Sequence, residues 1–173
     1  LGWRIVQCDE PPDDGEILSS GEGHAWLYRA VDRQFTFAAD LTDIGGTAKY
    51  YNAATFKIAS ATTRKMKDGR EVLWLRWSLD EQTGGGAFDG TLSMSTTKLT
   101  ICRMDVDALH ACADAFIVSR DTHFYPWNES AEMHERTFSE QFDIELAGDG
   151  VDVKLLKVAG EEEPDAQAGH HAL

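Results

Sequence analysis

Positive charge is what this chain has least of. Its 173 residues carry 16 Lys and Arg against 30 Asp and Glu, a formal net charge of −14. Nucleic-acid binding by the usual route needs clustered Lys and Arg to displace phosphate counterions, and the sequence holds no such cluster. An anionic membrane surface is disfavoured on the same ground. The first 22 residues carry six acids against Arg4, and residues 160–173 carry four acids and no base. The body between them is only mildly acidic. Such a balance serves solubility first, and beyond that it suits a basic protein partner.

Long apolar runs are missing too. None approaches the ~18 residues of a membrane span. No basic stretch followed by an apolar run marks a signal peptide. The chain begins at Leu1, so a removed leader stays compatible with it. Cysteine is sparse and odd in number, at Cys8, Cys102 and Cys112. That is not the disulfide framework of a small secreted domain. Three reduced, mostly buried thiols in a cytoplasmic protein are the favoured reading, with one bridge plus a free thiol as the alternative.

What is present suffices for a core. The hydrophobic fraction is 42% and the aromatic fraction 10%, which excludes disorder of the whole chain. The pattern is organised around residues 71–80, EVLWLRWSLD. Leu73, Leu75, Trp77 and Leu79 alternate onto one face, Val72, Trp74, Arg76 and Ser78 onto the other. Period-two alternation of large β-formers marks a strand. One face is wholly apolar; the other starts apolar and ends polar, so it is covered at one end and wet at the other.

Taken in order, residues 3–8, 24–31, 34–41 and 50–63 read as strands, the second and third joined as a hairpin. Residues 9–23 read as a solvated acidic loop, because their acids lack the spacing of a calcium loop. Lys67-Asp68-Gly69-Arg70 is a tight turn, since Asp-Gly supplies positive φ. Residues 81–90, with three consecutive glycines, read as a mobile loop; no Lys-Ser/Thr follows, so they are no phosphate cradle. Residues 91–94 and 98–103 read as short strands. Val106, Leu109, Ala113, Phe116 and Ile117 fall at helical spacing behind Asp105 as N-cap, which predicts a helix over 106–118. Asn128 caps a second, weaker predicted helix over 129–140. Phe142, Ile144 and Leu146 alternate, AGDG turns the chain, and Val151, Val153 and Leu155 alternate back as a hairpin.

The fold expected is therefore α+β, predominantly antiparallel β in a single sheet or two packed sheets, with one or two helices in the C-terminal half. Residues 1–160 form one β-rich domain, and 161–173 are an acidic polar tail, mobile unless a partner fixes it.

Residues 120–136, RDTHFYPWNESAEMHER, are read as an aromatic loop and are the strongest candidate for chemistry. His123 or His134 beside Glu135 is the arrangement for acid–base work near neutral pH. Tyr125 and Trp127 are the kind of residues that wall a ligand site, with Asp121 and Glu132 nearby. The other aromatic surfaces are Trp26, and Trp74 with Arg76; faces of this type stack sugars or flat ligands. A zinc site from Cys102, His110 and Cys112 is disfavoured, because residues two apart on a helix point about 200° apart. No cofactor motif and no nucleophile elbow is present.

The leading expectation is an acidic binding domain, recognising a protein partner or small ligand through the aromatic loop, of inhibitor or immunity type. A small hydrolase or isomerase using the His/Glu site is the alternative, and a structural subunit of a larger assembly the third.

Overall fold

Every described element of the computed structural model is a β-strand. Backbone is described at residues 2–8, 24–31, 34–40, 53–85, 89–104, 109–112, 115–128 and 134–173; side chains are described at 57–84, 89–103, 115–128 and 134–173. The strands are β1 (Gly2–Cys8), β2 (His24–Val31), β3 (Gln34–Asp40), β4 (Ala53–Lys65), β5 (Glu71–Gly85), β6 (Gly90–Met104), β7 (Leu109–Cys112), β8 (Phe116–Pro126), β9 (Arg136–Ala147), β10 (Gly150–Ala159) and β11 (Gly169–Ala172). β1–β2–β3 form a three-stranded antiparallel sheet. The main sheet is antiparallel and runs β11-β10-β9-β8-β6-β5-β4, with β7 paired to β6 beyond the start of β8. The α+β expectation is overturned: the described residues are all β and hold no helix.

The segment 106–118 falls on β7, a short connection and the start of β8, and only residues 109–112 and 115–118 of it are described. Part of its helical spacing is the pair Phe116 and Ile117, adjacent in sequence and both buried at the start of β8. β8 then slips against β6 between Ile117 and Ser119. A bulge places an extra residue in one strand and breaks the period of two. The second expected helix becomes β9 from Arg136 onward; residues 129–133 lie outside the described residues. There the alternation Phe138, Glu140, Phe142 runs through a buried glutamate, which hides it from a hydrophobicity pattern.

β5 is central, flanked by β4 and β6 along its length. Leu73, Leu75 and Trp77 are fully buried on one face. On the other face Val72 and Trp74 are buried, Arg76 is exposed and Asp80 is exposed, the division into covered and wet ends expected from sequence. The turn into β5 is also as expected. Gly69 adopts φ +88°, Met66 N–H donates to Arg70 O at 2.9 Å, and the Asp68 carboxylate accepts from Arg70 N–H at 3.0 Å. The strands extend further than expected: β5 continues to Gly85, and β6 is one strand rather than two.

Two buried polar groups shape this sheet. Trp77 Nε1 donates to the Thr100 hydroxyl at 3.0 Å. Glu81, also buried, has its pKa pushed up, first by loss of hydration and against the opposing pull of Lys98. Below the ordinary value of 4.5 Glu81 is neutral in both folded and unfolded chains. As pH rises through the raised folded value, the folded chain must ionise a carboxyl that water no longer stabilises, so stability falls. Glu81→Gln is therefore expected to match wild type below about pH 4 and to unfold at a higher temperature than wild type at pH 7. Thermal melts of both proteins from pH 3 to 8 check this.

A single hydrophobic cluster joins the covered ends of the central strands to the C-terminal ones. Val72 and Trp74 of β5, Leu99 and Ile101 of β6, and Phe116 and Ile117 of β8 pack with Phe142 of β9 and Val151 and Val153 of β10. β9 pairs with β8 only between Ser119/Gln141 and Phe124/Arg136, so its second half leaves β8 behind. The chain after Gly160 fills the gap. The Gln167 side chain accepts from Ile117 N–H at 2.7 Å and donates to Ile117 O at 2.5 Å, taking the place of a strand partner. Glu140 forms an ion pair with Arg120 at 2.8 Å and accepts from Asp165 N–H at 2.8 Å.

The tail segment closes with β11 on the free edge of β10. His170 bonds Asp152 at 2.7 Å and Asp149 at 3.2 Å, and these two carboxylates, Asp152 first, raise its pKa above the ordinary histidine range. His171 meets the Phe116 ring edge-on at 5.0 Å. Gly150 permits this approach, since a Cβ there would stand 1.9 Å from His171 O.

Cys102 is disulfide-bonded and stands in register with Cys112 across β6–β7. The expectation of three reduced thiols is not met. A zinc site also loses Cys102 as a ligand, and His110-x-Cys112 lies on a strand rather than a helix.

Candidate functional site

The wet half of the central sheet is where polar side chains converge. On β6, β8 and β9 the residues of one face are polar at every second position. Cross-strand pairing sets them in rows. One row runs Asp80, Ser95, Asp121, Ser139, Ala159 across β5, β6, β8, β9 and β10. The next runs Gln82, Ser93, His123, Thr137. Between them is an open groove of about 380 Å³, lined by Ser93, Ser95, Asp121, His123, Thr137, Ser139 and Ala159, with Thr122 and Phe138, at the alternate positions of β8 and β9, also in its lining. Its size falls in the ~300–1,000 Å³ range of small-ligand sites.

The residues that form the groove come from the segment expected to be an aromatic loop. That segment is strand β8 through Pro126, and the strand is what gives it direction. Asp121, His123 and Tyr125 are two apart, so all three point from the same face. The expected His/Glu pair is present. His123 Nε2 donates to Glu135 Oε1 at 2.6 Å. The imidazole stacks on Tyr125, ring centroids 3.7 Å apart and planes 27° from parallel. Tyr125 remains 46% exposed. Trp127, 56% exposed, follows, its indole Nε1 donating to the Thr91 hydroxyl at 3.4 Å and its N–H to Asp89 O at 3.0 Å. Of these three rings His123 lines the groove, and Tyr125 and Trp127 stand beyond its lining.

The remaining sequence candidates are elsewhere. His134 is exposed and does not line the groove; Glu132 lies outside the described residues. Trp74 is buried, with the Arg64 guanidinium 4.1 Å above its ring. Arg76 is exposed on the groove's face, but four residues from Asp80 along β5, about 13 Å away. Trp26 is on β2 of the three-stranded sheet, opposite Val6, and its side chain is outside the described residues.

Ser93, Ser95, Thr137 and Ser139 were not singled out by sequence. The signal that finds them is S-x-S beside D-x-H-x-Y beside T-x-S, polar period two on three strands. It is readable only once 116–126 and 136–147 are recognised as strands.

Chemically the same-face positions offer four hydroxyls, the Asp121 carboxylate, which has no partner among the described residues, and one imidazole. Ser95 already donates its proton to Asp80 Oδ1, which leaves its lone pairs to accept. Among the described residues no lysine or arginine lines the groove, but the next row on the same face runs Lys57, Ser78, Thr97, Ser119, Gln141, Lys157, with both lysines exposed. No group of three His, Cys, Asp or Glu side chains that could hold a metal occurs among the described residues. Comparisons with protein-family models, with curated proteins and with solved structures each returned no match.

Proposed function

We propose that this chain is a non-catalytic binding domain that takes a small polar ligand in the groove across β6, β8 and β9. The observation that carries the reading is the His123–Tyr125 stack held by Glu135 at the groove's edge. A ring fixed by packing on one side and a carboxylate on the other is presented to a ligand with little entropy left to lose.

Several features favour binding over the hydrolase or isomerase reading. The groove is lined by only one of the two candidate histidines. It is open, so water that would compete with a reaction is not shut out. No described group is placed as an oxyanion donor or activated nucleophile. Recognition of a protein partner through Tyr125 and Trp127 is the second form of the same reading, supported by their exposure. The acidic surface suits a basic partner there. The structural-subunit reading drew on the tail. Here the tail's order is accounted for within the chain, by β10, Glu140 and Ile117. The disulfide at Cys102 fits an oxidising compartment better than the cytoplasm expected from the cysteine count.

The test is a thermal-shift screen of small polar compounds on wild type, His123→Ala and Tyr125→Ala. A ligand at 100 times its Kd raises native stability by about 2.7 kcal/mol. The expected result is a ligand that shifts wild type by several degrees and either variant by less than half as much. Ligands that shift all three proteins equally would sink the assignment to this groove.

A further inference from the structure

We propose that the end of the sheet beyond the groove, around Tyr125 and Trp127, is a docking surface for an arginine-bearing extended segment of a partner protein. Guanidinium groups of that segment lie against the two rings and are held by the carboxylates beside them. This rests on the partner-recognition form of the reading above and names the chemistry of the partner.

The rings are the first argument. Among the described residues, Tyr125 and Trp127 are the Phe, Tyr and Trp side chains left exposed. Both are held in place. Tyr125 is stacked by His123. Trp127 is fixed by its N–H on Asp89 O and its indole Nε1 on the Thr91 hydroxyl, and Thr91 is the cross-strand partner of Tyr125. The two rings therefore belong to one patch, where β6 begins and β8 ends. Fixed rings lose little entropy when a partner covers them, and Tyr and Trp are enriched among the residues that anchor protein interfaces.

Charge is the second argument. Each ring has an exposed carboxylate close by. Glu135 is bonded to the imidazole that stacks on Tyr125, and Asp89 is the residue whose carbonyl holds Trp127. Residues 77–97 carry three acids and no Lys or Arg, and residues 121–135 carry four acids and neither base. These stretches supply the late parts of β5 and β8 and the early part of β6. The exposed Lys57 and Lys157 stand in the row through Ser119, about 20 Å along β8 from Tyr125. Arg136 is nearer, but its guanidinium lies 5.2 Å over the Phe124 ring, and Phe124 points from the opposite face to Tyr125. A cationic segment is attracted to this end of the sheet, and an anionic one is repelled.

The third argument is what the rings still lack. Elsewhere in the sheet cations cover aromatic rings, Arg64 over Trp74 at 4.1 Å and Lys98 over Trp77 at 5.3 Å. Among the described residues no cation stands over Tyr125 or Trp127. Arginine suits the vacancy better than lysine, because a planar guanidinium stacks on a ring and still donates to a carboxylate at its edge. The patch runs along β8, so an extended segment can touch both rings.

The experiment is fluorescence anisotropy of a dye-labelled decapeptide of alternating Arg and Ser, titrated with the full chain, beside the same peptide with Gln for Arg. Tyr125→Ala, Trp127→Ala, Asp89→Asn and Glu145→Gln are titrated in parallel, with their melting midpoints checked. All four positions are exposed, and Asn tolerates the positive φ of Asp89, so the variants are expected to fold. Glu145, on the late part of β9, removes the same charge at a distance from the patch. The Arg peptide is expected to bind wild type at least tenfold more tightly than the Gln peptide. Tyr125→Ala and Trp127→Ala are each expected to weaken it fivefold or more, and Asp89→Asn to weaken it more than Glu145→Gln does. Equal binding of the Arg peptide to wild type and both ring variants would overturn the proposal, leaving only a diffuse acidic attraction. Equal binding of the two peptides, equal effects of Asp89→Asn and Glu145→Gln, or no binding of the Arg peptide would overturn it as well. None of these results touches the small-ligand reading of the groove, which stands or falls on compounds whose binding depends on His123.

Discussion

Replacing Trp77 with alanine is expected to lower the unfolding free energy by about 3–5 kcal/mol. Trp77 is 1% exposed at the middle of β5, the strand with the most extensive pairing in the main sheet. Its removal leaves a cavity that neighbours held in a sheet cannot close, and strips the Thr100 hydroxyl of its donor. Domains are stable by about 5–15 kcal/mol in total, so the variant stands near the threshold of folding. Trp77→Phe keeps most of the volume and loses only the hydrogen bond, and is expected to cost less than half as much. Urea unfolding of the three proteins, followed by tryptophan fluorescence and circular dichroism, measures the difference.

Glu140→Ala is expected to cost about 3 kcal/mol by a different route. The Glu140 side chain is fully buried, paired directly across β8–β9 with Arg120, which is 24% exposed. Taking away one partner of a buried pair leaves the other charge uncompensated, and that residual charge is the larger part of the loss. The mutation also removes the acceptor for Asp165 N–H, so the segment 161–168 loses one of its anchors. Arg120→Met in the Glu140→Ala background is expected to recover most of the loss, because two apolar side chains replace an ion pair at little cost. A double-mutant cycle by denaturant unfolding shows whether the charge or the packing dominates.

Sequence alone revealed the parts of the sheet in which alternation is unbroken. β2, the Asp68-Gly69 turn, both faces of residues 71–80 and the β9–β10 hairpin follow from period two and from the backbone freedom of glycine. The failures have three physical sources. Phe116 and Ile117 are buried side by side at the start of β8, next to a register slip, and their adjacency imitates helical spacing. Buried Glu81 and Glu140 interrupt apolar stripes, so the apolar pattern of β5 stops short of the strand's end and that of β9 reads in the wrong period. β11 is held by backbone pairing and by Asp–His contacts, neither of which appears in a hydrophobicity pattern. The site suffered from the same errors. His123, Glu135, Tyr125 and Trp127 were identifiable as residue types, but the hydroxyl rows beside them required the strand assignment that the helix signal obscured.

The wet half of the main sheet is proposed here as a ligand site rather than a solvated surface. The most direct measurement is a crystal structure of the protein soaked in a mixture of small polar fragments. The expected result is density in the groove, bonded to Asp121 and at least one of Ser95 or Ser139, beside the His123 imidazole. Fragments bound only at other surfaces, with ordered water alone along Ser93, Ser95, Asp121 and His123, would contradict it.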